Sequence, residues 1–80
     1  MPTDVRPGIY EHYKGKLYEV IGTARHSETL EIFVVYRKVE DDSSLWVRPF
    51  GIFIGEVEMH GTMVPRFRFL KSSVDILRRA

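Results

Sequence analysis

Eighty residues without a single cysteine allow one small domain, which no disulfide or thiolate zinc site can brace and whose functional site must come from the strands that build its core. Hydrophobic residues at 44% and charged residues at 29% exclude a disordered chain, and no window approaches the ~18 apolar residues of a membrane span. A net charge of +1 is too small to argue for nucleic acid by itself, and it is unevenly spread: residues 1–70 hold nine Lys and Arg against ten Asp and Glu, residues 71–80 three against one.

Met1 to Pro7 carries no apolar run, so the cytoplasm is the expected compartment and no membrane contact is expected. Gly8 releases the chain into a first strand, Ile9–Tyr13, and Lys14-Gly15-Lys16 is a hairpin turn whose glycine can take positive φ. Leu17–Ala24 forms the second strand, with Tyr18 and Val20 on one face and Gly22 marking a bulge. The polar run Arg25-His26-Ser27-Glu28-Thr29 leads into the most apolar strand, Leu30–Lys38, whose residues Leu30, Ile32, Val34 and Tyr36 share one face. Glu40–Ser44 is rich in turn-forming Asp and Ser, and Leu45–Arg48 follows as a fourth strand ended by Pro49.

Phe50–Gly55 is an apolar crossover of a single helical turn, expected to plug one end of a barrel. Glu56–His60 alternates as a half-exposed strand with Val57 and Met59 inward, and Gly61 turns the chain. Val64–Leu70 alternates again, which places Arg66 and Arg68 together, away from Phe67 and Phe69. Ser72–Arg79 has an N-cap candidate, an early acid and two late cations, which suit a short helix. The expected fold is mainly β: a small antiparallel barrel, SH3-like or OB-like, of five or six strands with a short C-terminal helix. A half-open sandwich is the alternative. Residues 8–70 make the domain and 71–80 a basic tail or short helix.

The segments Gly8-x-Tyr10-x-His12-Tyr13-Lys14-Gly15, Tyr18-x-Val20, Ala24-Arg25-His26-Ser27-Glu28-Thr29, Val34-Val35-Tyr36, Trp46-Val47-Arg48-Pro49 and Pro65-Arg66-Phe67 stand in an order and spacing similar to those of the bacterial family called domain of unknown function 1653. The resemblance runs from about Gly8 to Phe69. It implies a small β domain, alone or fused, and carries no activity with it.

Two constellations bear on function. In the first, His26 and Ser27 are consecutive and cannot form a local nucleophile–base pair on an extended segment, whereas His26 and Glu28, two apart, can share a face. Catalysis by that pair, ligand binding by the loop, and a plain polar turn with His26 packed on a tyrosine are all open. The second joins Arg25, Arg48, Arg66 and Arg68 to Tyr13, Tyr18, Tyr36 and Trp46, planar forks and stacking faces of the kind that a nucleotide or single-strand binder uses. Ordinary pairing of these arginines with Glu19, Glu31 and Glu56 explains them as well. His12, His26 and His60 lack ligand spacing, so no metal and no cofactor is expected.

The reading that follows is a binding module for an anionic small molecule or a nucleic-acid segment. Its candidate ligand-binding residues are Arg25, His26, Ser27, Glu28, Tyr36, Trp46, Arg48 and Arg66. A small hydrolase or lyase using His26 with Glu28 is the alternative, and an adaptor for a protein partner is a third.

Overall fold

The computed structural model describes residues 5–72, in which strands alternate with tight turns: β1 (Gly8–His12), β2 (Leu17–Arg25), β3 (Ile32–Lys38), β4 (Asp41–Pro49), helix α1 (Phe50–Phe53), β5 (Glu56–Met59), β6 (Thr62–Pro65) and β7 (Phe67–Ser72). Five strands form one antiparallel sheet in the order β4-β3-β2-β1-β7, and β5 with β6 forms a separate hairpin. The domain is mainly β and antiparallel, as expected. The expected barrel does not close: β4 and β7 are the outer strands of the sheet, and among the described residues no ladder joins them.

The strand count exceeds expectation because the alternating run Val64–Leu70 breaks at Arg66. Its N–H donates to Gly55 O at 2.9 Å, and its carbonyl accepts from Tyr13 N–H at 3.0 Å, so the chain leaves one hairpin and enters the main sheet at that residue. Two further boundaries differ. Lys38 pairs directly with Asp41, which confines the β3–β4 turn to Val39 and Glu40 rather than Glu40–Ser44. Leu30 lies in the β2–β3 loop at φ 65, and β3 begins at Ile32. The expected bulge is present, with the register shifting between Val20 and Gly22. Gly15 turns the β1–β2 hairpin at φ 103. Ser72 ends β7 rather than opening a helix, and the rest of the helix expected over Ser72–Arg79 lies outside the described residues.

Alternation decides which face is buried. Register sets Tyr10 opposite Tyr18 and Phe69, Val20 opposite Tyr36, and Val34 opposite Arg48, so these residues share the inner face with Phe67. Helix α1 lies over that face and delivers Phe53, 1% exposed, flat onto Phe67 with ring centroids 4.1 Å apart and planes at 5°. Tyr10 meets the Phe53 ring edge-on at 5.4 Å. One helical turn has no stability of its own, so α1 is held by this packing and by Ile54 N–H donating to Phe50 O at 3.1 Å. Trp46, by contrast, sits on the outer strand and is 47% exposed.

Phe53→Ala is therefore expected to cost about 3 to 5 kcal/mol, most of the stability of so small a domain, whereas Trp46→Ala costs about 1 kcal/mol or less. Urea unfolding of both variants checks this; equal losses would place Trp46 in the core.

Candidate functional site

The β3–β4 pair sets Trp46 opposite Tyr36 and Arg48 opposite Val34 on the inner face. From there Arg48 reaches across the aromatic cluster. Its guanidinium carbon lies 5.4 Å from the Phe67 ring centroid and 5.9 Å from that of Tyr36. Its Nε and Nη2 donate to Tyr36 Oη at 3.4 and 3.3 Å, long bonds that hold it loosely.

His12 enters the cluster from β1, opposite Phe67. Its ring is 4.9 Å from that of Phe67, 4.5 Å from Tyr13 and 6.1 Å from Tyr18. Lys14 N–H donates to His12 Nδ1 at 3.2 Å, so the neutral imidazole carries its proton on Nε2 and presents a donor there. Burial lowers the His12 pKa below its usual 6.5, and the charges of Arg48, Arg66 and Lys14 lower it further. Three cations thus act on one imidazole.

Arg66 is half-buried, and its Nε is enclosed without a protein acceptor. Three other cations are paired: Arg37 with Glu19 at 2.7 Å, Arg68 with Glu11 at 2.5 Å and Lys16 with Glu40 at 3.7 Å. Arg66 and Arg68, expected to act together, are separated in role by the chain break between β6 and β7. Among the described residues, neither Arg48 nor Arg66 has a carboxylate within salt-bridge distance. Two guanidinium groups left without counter-charge beside a histidine and several rings can hold an anion through charge-assisted hydrogen bonds.

The sequence-chosen residues fall into two groups. Tyr36, Trp46 and Arg48 are neighbours on β3 and β4, and Arg66 directly precedes Phe67, whose ring lies against the Arg48 guanidinium. Arg25 ends β2, and His26, Ser27 and Glu28 follow it in the β2–β3 loop; among the described residues no hydrogen bond or ion pair joins these four to Arg48 or Arg66. There His26 Nδ1 accepts from the backbone N–H groups of Glu28 and Thr29 at 3.1 and 3.2 Å, and Arg25 Nη1 donates to Leu30 O at 3.0 Å. The link between His26 and Glu28 runs through a backbone amide, not through the carboxylate. His26 packs 6.2 Å from Phe33 rather than on a tyrosine. His12 was overlooked as a site residue; the signal was its place two residues after Tyr10, on the same face of β1.

The sheet with its covering turn, and the cationic and aromatic groups on the covered face, define a small antiparallel β domain with an arginine–aromatic site. Among the described residues no helix is long and apolar enough to cross a membrane. The chain belongs to the DUF1653 family of proteins of unknown function, whose model matches residues 8–69. It is similar to the crystal structure of a DUF1653 protein from Bordetella bronchiseptica, with 34% identity over 85% of this chain and 90% of that one and a TM-score of 0.76. No curated protein matches the chain.

His12 should titrate below 6.5 in the folded protein by NMR, and Arg48→Ala should move it upward. Because the folded pKa is lowered, the unfolded chain takes up the proton first, so this group's contribution to stability is complete above pH 6.5 and is lost as pH falls through the folded pKa. A His12 pKa at or above 6.5 would mean that the arginine fields do not reach it.

Proposed function

We propose that this domain is a non-enzymatic binding module for an anionic, phosphate-bearing ligand, held by Arg48 and Arg66 beside His12. The observation that carries the reading is that, among the described residues, both arginines lack a carboxylate partner, while Arg48 lies over the Phe67 ring that packs beside His12. A ligand there meets cations that no internal acid has already neutralised. The His12 Nε2–H adds a donor at neutral pH and a charge at lower pH. Arg48 lies over the Phe67 ring with only long bonds to Tyr36 Oη, so its donors turn to an anion at little cost.

A second reading has its own observation. Register puts Leu17, Leu45 and Val47 on the outer face of the sheet, and they are 40%, 65% and 60% exposed, which suits an adaptor that contacts protein through that face.

Calorimetric titration with inorganic pyrophosphate tests the first reading. Affinity should fall as salt rises and tighten as pH drops toward 6. Arg48→Ala and Arg66→Ala should each weaken binding about tenfold or more, in line with loss of a charge-assisted contact, while Arg68→Ala leaves it unchanged. Absence of binding at low salt and pH 6 would overturn the reading and favour the outer face.

A further inference from the structure

Trp46 is unlike the other aromatic residues of the inner face. Tyr10, Tyr36, Phe53 and Phe67 are at most 7% exposed and pack against one another, whereas Trp46 is 47% exposed. Among the described residues no ring lies against its indole. Burial in this fold therefore does not explain so large an apolar side chain at this position.

Its surroundings are cationic on two sides. Trp46 and Arg48 stand two residues apart on β4, so their side chains leave the same face about 7 Å from each other. On the other side the Lys38 ammonium lies 5.4 Å from the indole centroid. Charge, ring and charge thus follow one another along the rim of the sheet. A bare phosphate uses only the cations. A nucleotide uses the ring and a flanking cation together, because one sugar separates its base from its phosphate by a distance of this order.

Resting on the anion site proposed above, we propose that the ligand is a nucleotide unit, with its base stacked on Trp46 and its phosphate on Arg48 and Arg66. Base stacking on an exposed aromatic is worth about 1 to 3 kcal/mol and is tolerant of base identity, so the site accepts any base. The unit can come as a free nucleotide or as part of a single strand. A strand would bring a second phosphate to Lys38, on the far side of the ring.

The chain has one tryptophan, so stacking on Trp46 quenches the protein's tryptophan fluorescence directly. Titrations with AMP, ribose 5-phosphate and a short oligothymidylate, each on the wild type, Trp46→Ala and Lys38→Ala, form the test, with calorimetry reading the Trp46→Ala arm. AMP should bind about 5- to 100-fold tighter than ribose 5-phosphate and quench Trp46, and Trp46→Ala should abolish that preference while leaving ribose 5-phosphate binding intact. Weakening of the oligothymidylate alone by Lys38→Ala assigns the single strand; equal binding of AMP and oligothymidylate, untouched by Lys38→Ala, assigns the free nucleotide. Equal affinity for AMP and ribose 5-phosphate in the wild type would overturn the nucleotide proposal and leave the anion site standing. Failure of all three ligands to bind would sink the anion site itself.

Discussion

A single turn of helix carries Phe53 face to face onto Phe67, and the rest of the inner face is arranged around that stack. Phe67 opens β7, Tyr10 lies on β1 and Tyr36 on β3, so one side chain from the crossover ties three strands of a sheet that does not close on itself. In a chain of this size the area available for burial is small, and a ring fully removed from water is a large share of it. The stack also sets the electrostatics. It fixes Phe67, and Phe67 in turn lies beneath Arg48 and beside His12.

That arrangement places positive charge where the described residues supply no carboxylate. Arg37 and Arg68, on the outer face of the sheet, meet Glu19 and Glu11. Arg48 rests on rings and on a phenol oxygen, contacts that orient a guanidinium without cancelling its charge. Burial lowers the His12 pKa, and the charges of Arg48, Arg66 and Lys14 lower it further, since a second proton there would join a field that is already positive. An anion bound there, as proposed, would reverse the sign of that field and so couple its binding to histidine protonation.

Much of the fold was legible in period-two alternation and in turn residues. The bulge at Gly22, the turn at Gly15, the end of β4 at Pro49 and the apolar plug Phe50–Gly55 follow from local chemistry alone. What was not legible depends on long-range pairing. Nothing local marks Arg66 as a break, because Val64–Leu70 alternates without interruption; the break arises from backbone bonds to Gly55 and Tyr13, both remote in sequence. The site shows the same division. Tyr36, Trp46 and Arg48 could be grouped from strand register, but His12 gains its place only when β7 pairs with β1 across more than fifty residues of chain. Conversely, the loop Arg25–Thr29 attracted attention through its residue types, and the structure shows His26 receiving backbone amides in a turn.

The proposed anion site requires Arg48 and Arg66 to be available while Arg37 and Arg68 are already paired with Glu19 and Glu11. Proton–nitrogen correlation spectra of the arginine Nε–H groups during addition of pyrophosphate at low salt test it most directly. The Nε–H signals of Arg48 and Arg66 should shift together along one binding isotherm, with those of Arg37 and Arg68 unmoved. Equal shifts for all four, or movement of Arg68 without Arg66, would contradict it.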